Sequence, residues 1–229
     1  GDATNPQLAA DANGNVTVVW QQSNGRHTGI YAAHWQQARQ RWLPAQELDR
    51  LSAHAYNPVV EAAPDGRVVA AWQQGAPGHE AVYAAAFRGS SASWSAPARA
   101  SRGGRPARNP ALVGSRQGDF TAAWVQGEGS AGRIATSRLV DGATSWSKVE
   151  VMHSAAFAGP ALSPALTTDV AGNVTLAWEQ ADLPDPSGAR DAILASRLSA
   201  KTRQWTPPRR IDDPALRSAG NPALVVDAA

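Results

Sequence analysis

Residues Asn15 to Gln22 read N-V-T-V-V-W-Q-Q, a β-branched run closed by an aromatic and two amides. It is apolar on both alternating sides, with Val16, Val18 and Trp20 on one and Val19 on the other, which predicts a strand buried on both faces. The pattern returns at Arg67–Gln74, Asp119–Gln126 and Asn173–Gln180. Each copy is preceded by a short apolar segment that opens on Asn-Pro or Ser-Pro, at Pro6, Pro58, Pro110 and Pro164. A Gly follows eight residues after each Pro (Gly14, Gly66, Gly118, Gly172), and a Trp fourteen after (Trp20, Trp72, Trp124, Trp178). A Gly at a fixed place between two apolar runs marks a tight reversal needing positive φ.

Third strands are predicted at Ile30–Trp35, Ala81–Phe87, Arg133–Leu139 and Ala192–Leu198, and a fourth opens on a second Trp: Trp42, Trp94, Trp146 or Trp205. The two Trp are 22 residues apart in the first three repeats and 27 in the last. No segment carries a sustained 3.6-residue apolar period, so almost no helix is expected.

A repeat of 52 to 58 residues holding four short strands has the size of a propeller blade. The expected architecture is all-β and β-propeller-type, with four four-stranded antiparallel blades at roughly 5–56, 57–108, 109–162 and 163–220. Two-sided burial and the Ala84-Ala85-Ala86 run favour blades packed between neighbours over a sandwich with one solvated face. The phrase returns at Pro222, so residues 221–229 read as the first strand of a fifth repeat. That strand is expected to belong to a propeller of five or more blades, rather than to close a ring by pairing elsewhere.

Composition narrows the chemistry. With 21 basic and 19 acidic residues and a net charge of +2, the chain is too balanced for a nucleic-acid binder. Without cysteine it has no disulfide or thiolate metal site. No apolar stretch approaches a membrane span, and Gly1 to Thr4 lacks targeting features. His27, His34, His54, His79 and His153 share no metal-ligand spacing, and Asp11 to Asn15 is better explained by a hairpin turn than by a calcium loop, so neither metal nor cofactor is expected. Gly127 to Gly132 matches G-x-G-x-x-G, but a strand and not a helix is predicted to follow, which removes the dinucleotide reading.

Eight of the nine Trp are locked to the repeat and are expected to pack within and between blades, although Trp42, Trp94, Trp146 and Trp205 on the outer strand are candidates for a sugar cleft. Gln22, Gln74, Gln126 and Gln180 each lie two residues after the strand-two Trp and would form a polar ring suited to loop bracing or to ligand hydroxyls. The segments that differ most between repeats converge on one face. They are Arg26-His27, His79-Glu80, Arg133, Asp182–Asp191, Arg50–Tyr56, Arg102–Arg108 and His153–Phe157. From them come the candidate ligand residues Arg26, His27, Arg102, Arg105, Arg108 and Arg133, the three between 102 and 108 being the densest local charge.

The phrases N-P-x-L-A-x-D-x-x-G-N-V-T-V-V-W-Q-Q and I-Y-A-A-x-W resemble the neuraminidase-type, or sialidase-like, propeller repeat of exported bacterial proteins. The resemblance covers nearly the whole chain and implies a propeller in an extracytoplasmic setting. It departs from the sialidase Asp box, S-x-D-x-G-x-T-W, because here the Trp lies six residues after the Gly. The Asp survives only as Asp11, Asp169 and Asp227, replaced by Ala63 and Ser115. Neither an arginine triad nor a nucleophilic Tyr with its Glu can be assigned, and Tyr31 and Tyr83 share one repeated position. The expectation is a non-enzymatic binding or scaffold module for a glycan or a protein, with possible homo-oligomerisation. The alternative is a degenerate glycoside hydrolase drawing on Glu80, Glu128, Glu179, Asp182 or Asp185.

Overall fold

The computed structural model describes residues 1–49, 52–89, 91–152, 154, 157, 159–182, 190–213, 215 and 219–226, with the backbone alone at 182 and 190. Arg50, His153, Asp185 and Asp227 therefore lie outside the described residues, as does most of the Asp182–Asp191 segment.

The chain forms four antiparallel sheets in which sequence neighbours pair in order. Blade one comprises Ala3–Ala10, Val16–Ser23, Thr28–Gln36 and an outer strand in two pieces, Arg41–Trp42 and Gln46–Glu47. Blade two repeats this with Ala55–Ala62, Val68–Gln74, Ala81–Arg88 and the pieces Ser93–Trp94 and Ala98–Arg99. Blade three has Ala107–Gly114, Phe120–Gln126, Arg133–Leu139 and Glu150–Val151. Blade four has Ala161–Thr168, Val174–Asp182, Arg190–Leu198 and Arg209–Arg210. Among the described residues the only helical turns are two three-residue 3-10 segments, and none is long or apolar enough to cross a membrane.

The turn glycines Gly14, Gly66, Gly118 and Gly172 all have φ between 78 and 84°, which explains their recurrence. The outer strands expected to open on the second Trp are short, two-residue pieces. Pro44, Pro97 and Pro208 interrupt them, as befits an edge strand where a missing N–H is tolerated.

First strands contact first strands in the order one, two, three, four, and among the described residues no comparable contact joins the first strands of blades one and four. The core is divided among the seams between blades, each sealed by a second-strand Trp and small residues from the facing sheet. In blades two and three the second strand is buried at every position, as predicted. In blade one the Val16, Val18 and Trp20 side is only half-buried, because no blade packs against it.

The fifth repeat departs from its predicted strand. Asn221 adopts φ 51°, like its counterparts Asn5, Asn57 and Asn109, and its N–H reaches Glu179 Oε2 at 3.4 Å. Residues 221–226 nevertheless form no ladder among the described residues.

Candidate functional site

Each first strand begins with a β-bulge at its Asn-Pro or Ser-Pro. The Pro cannot donate to the ladder, and Asn tolerates the left-handed φ of 50 to 52° that Asn5, Asn57 and Asn109 adopt; Ser163 does the same in blade four. The bulge turns two successive residues outward, so that Tyr56 and Asn57 are both exposed. A chain of amides fixes this geometry from blade to blade. Asn57 N–H donates to Gln21 Oε1 (2.9 Å) and Asn109 N–H to Gln73 Oε1 (3.0 Å), while Asn57 Nδ2 donates to Asn109 Oδ1 (3.0 Å).

The residue before each Asn or Ser is then displayed beside this row of amides, at the loop end of the first strands. These residues are Thr4, Tyr56, Arg108, Leu162 and Gly220, a variable set on an invariant frame. Tyr56 is 37% exposed and stacks on His54 (centroids 5.9 Å apart, planes 8° from parallel). Leu162 is 45% exposed. Arg108 Nη2 donates to both Glu80 Oε2 (3.0 Å) and Glu128 Oε1. Burial alone pushes the Glu80 carboxyl up, but the Arg108 hydrogen bond and backbone donors bring it below the ordinary value. Beside Arg108 a cavity of about 340 Å³ is lined by Asn109, Glu128, Gly132 and Leu162. This mouth presents an exposed aromatic plane on blade two and, around the cavity of blades three and four, a guanidinium flanked by two acceptors beside an apolar neighbour.

The four strand-two glutamines are committed within the fold. Trp20, Trp72, Trp124 and Trp178 donate from Nε1 to the Oε1 of Gln22, Gln74, Gln126 and Gln180 at 2.9 to 3.0 Å. The amide nitrogens of three of them brace the incoming inter-blade loop. Gln74 donates to Ala53 O (2.9 Å), Gln126 to Arg105 O (2.6 Å) and Pro106 O (3.0 Å), and Gln180 to Gly159 O. Arg133 donates to the carbonyls of Ser130, Gly132 and Gly159, tying its own loop to the next blade. Arg26, Arg102 and Arg105 are exposed on the rim. His27 lies 3.6 Å from Glu47 and 3.9 Å from Asp49.

The outer Trp differ among themselves. Trp42 is 50% exposed and tilts against Trp35 at 5.7 Å, and Trp94 packs on Phe87 at 5.4 Å. Trp146 is buried within the seam of blades two and three, whereas Trp205 lines an open cleft of about 490 Å³ with Glu150 to Met152. They do not converge with the mouth residues on a common site.

A further cavity, about 530 Å³, opens on the opposite face between the first-to-second-strand turns. Its groups largely serve those turns: Asp11 accepts from Asn13 N and from Asn15 N and Nδ2, and Arg67 pairs with Asp141 at 2.7 Å. A recurring turn accounts for that lining, so the mouth is the stronger site. Sequence reading places His54 and Tyr56 within the variable segment Arg50–Tyr56 without naming either as a ligand residue, and does not name Leu162. The signal available was the unconserved residue before each Asn-Pro, in a repeat where its neighbours are constant.

No family model and no curated protein matches the chain. Solved structures do share its fold. A protein of unknown function from Dyadobacter fermentans has a TM-score of 0.57 and 14% identity over 84% of this chain and 60% of that one. An ulvan lyase bound to -[GlcA(1-4)Rha3S]- has a TM-score of 0.61 and 12% identity over 89% and 55%. A leech intramolecular trans-sialidase complexed with 2,7-anhydro-Neu5Ac has a TM-score of 0.58 and 8% identity over 92% and 50%. The chain thus spans between half and three fifths of the length of these proteins. At such identities the likeness concerns the propeller-type fold.

Proposed function

We propose that the protein is an extracytoplasmic, non-enzymatic glycan-binding module that takes its ligand at the mouth on the loop end of the first strands. The observation that carries this is the variable set Tyr56, Arg108 and Leu162 presented by successive Asn-Pro and Ser-Pro bulges. An exposed aromatic plane suits the apolar face of a sugar ring, and a guanidinium with flanking carboxylates and amides suits its hydroxyls. Because Arg108 is already paired with Glu80 and Glu128, the mouth favours hydroxyl recognition over capture of an acidic group. Two of the fold neighbours carry sugar ligands, which agrees with this reading. A glycan array including neutral, sialylated and sulfated oligosaccharides tests it. Binding concentrated on neutral glycans is expected, and no binding at high protein concentration would remove the glycan reading in favour of a protein partner.

One observation favours a second reading, a degenerate glycoside hydrolase. Glu80 and Glu128 accept from the same guanidinium nitrogen, so their bonded oxygens are at most about 5.5 Å apart, which admits the ~5–5.5 Å spacing of a retaining pair. Turnover of an aryl glycoside or sialoside that disappears in Glu80→Gln would establish it over the binding module.

A further inference from the structure

Blade one carries a charge arrangement that its sister blades resolve differently. Two residues of each outer strand face the third strand at matching places. Register pairs Glu47 with Tyr31, Arg99 with Tyr83, Val151 with Ala135 and Arg210 with Leu194, so positions 47, 99, 151 and 210 correspond. Two residues further on, Asp49 Oδ1 accepts from Ile30 N (2.6 Å), Ser101 Oγ from Val82 N (3.0 Å) and Asp212 Oδ1 from Ile193 N (2.9 Å). That cap is scaffold. What differs is how its charge is met. In blade four Arg210 pairs with Asp212 through Nε (3.0 Å) and Nη2 (2.7 Å). In blade one the place of that arginine is taken by Glu47, a second carboxylate.

The Asp49 side chain is fully buried, and its Oδ2 accepts from Gln74 Nε2, a neutral donor, at 3.0 Å. His27 closes the group, and one ligand atom from each of His27, Glu47 and Asp49 lies within 4.8 Å of the others. Space has been made for them. A Cβ at Gly29 would stand 2.8 Å from Glu47 Oε1 and 3.0 Å from Asp49 Oδ1, and the corresponding residues Ala81, Arg133 and Ala192 all carry side chains. The glycine occurs only in the blade that brings two carboxylates together.

We propose that His27, Glu47 and Asp49 form a divalent-cation site that supplies the positive charge provided by Arg210 in blade four. An imidazole with two carboxylates suits zinc, with its bonds of about 2.0–2.2 Å and a fourth position open to water; magnesium and calcium favour all-oxygen sites. His27 stands in the second-to-third-strand loop, Glu47 on the outer strand and Asp49 at the start of the inter-blade connection. The ion ties these three segments together next to His54, whose Nδ1 accepts from Thr28 N (3.1 Å) and whose ring supports Tyr56.

Titration of chelator-treated protein with zinc chloride by calorimetry, and melting with and without zinc, tests the site. One equivalent is expected to bind, and zinc at about 100 times Kd should raise Tm by roughly 5–10 °C, with magnesium and calcium inactive at the same concentration. Glu47→Gln and His27→Gln should each weaken zinc binding roughly tenfold or more without moving the metal-free Tm, because both side chains are partly exposed. His79→Gln, at the matching loop position of blade two, should bind as wild type. Absence of saturable zinc binding, or binding unchanged in Glu47→Gln and His27→Gln, would overturn the assignment.

Discussion

Blades two and three share one pattern with blade one and yet sit in different physical states. Val68–Gln74 and Phe120–Gln126 are buried at every position, with Trp72 and Trp124 at 0% exposure. Val16–Ser23 alternates between buried and half-buried, and Ala3–Ala10 is exposed almost throughout, with Leu8 at 66%. The difference is that a middle blade has a neighbour on each side. A blade-forming sequence therefore encodes two apolar faces, and only packing by adjacent blades makes both of them core. It also places Tyr56 and Arg108 on the two most tightly held blades, and a binding mouth needs that rigidity.

The largest test of the contrast is truncation of the repeated Trp. Trp124→Ala or Trp72→Ala should cost about 3–5 kcal/mol in urea unfolding, with the Gln126 or Gln74 amide losing its donor as well. Trp20→Ala should cost well under half as much. Equal losses would mean that the blades are equivalently packed.

The seam between blades two and three also holds an acid that no other blade has. Glu61 corresponds to Ala9, Val113 and Thr167, and burial pushes its carboxyl up to about 7 against one backbone donor at Gly114. The folded state keeps a proton that the unfolded chain releases near the ordinary value of 4.5. Stability should then fall as pH rises from about 4.5 to about 7 and stay level above, by up to about 3 kcal/mol. Glu61→Gln should abolish that slope and stabilise the protein at pH 8, as read from urea midpoints at several pH values.

A smaller effect is expected from the row of amides. Gln73→Ala leaves Asn109 N–H and Asn57 Nδ2 without their shared acceptor and should cost about 1–2 kcal/mol. Glu179→Ala removes only the 3.4 Å bond to Asn221 and should fall below about 0.5 kcal/mol. A larger loss at Glu179 would show that the fifth repeat is docked as firmly as the others.

The strand order and the turn glycines were legible because each depends on local chemistry repeated four times. The burial of the strand-two Trp holds in blades two to four and fails at Trp20, where among the described residues one side has no neighbouring blade. Pro interruptions were visible as residues, but their effect on the outer strand depends on its having no further partner. That the mouth residues share one repeat position escaped notice for the opposite reason. Tyr56, Arg108 and Leu162 stand at one structural position but share no chemistry, so the repeat hides them, although Arg108 drew attention through local charge. His27, Glu47 and Asp49 are brought together by the Tyr31–Glu47 pairing of third and outer strands, which no spacing rule for metal ligands anticipates. The Gln ring shows the remaining limit: its position was readable, but its donors and acceptors became assignable only once the incoming loops were in place.

The most direct test of the mouth as the recognition site is a calorimetric titration of the best array glycan against three variants. Tyr56→Ala should abolish measurable binding while leaving Tm unchanged, Arg108→Ala should weaken it, and Trp42→Ala, on the distant outer strand, should bind as wild type. Full affinity in Tyr56→Ala together with loss in Trp42→Ala would contradict the account and move recognition to the clefts between blades.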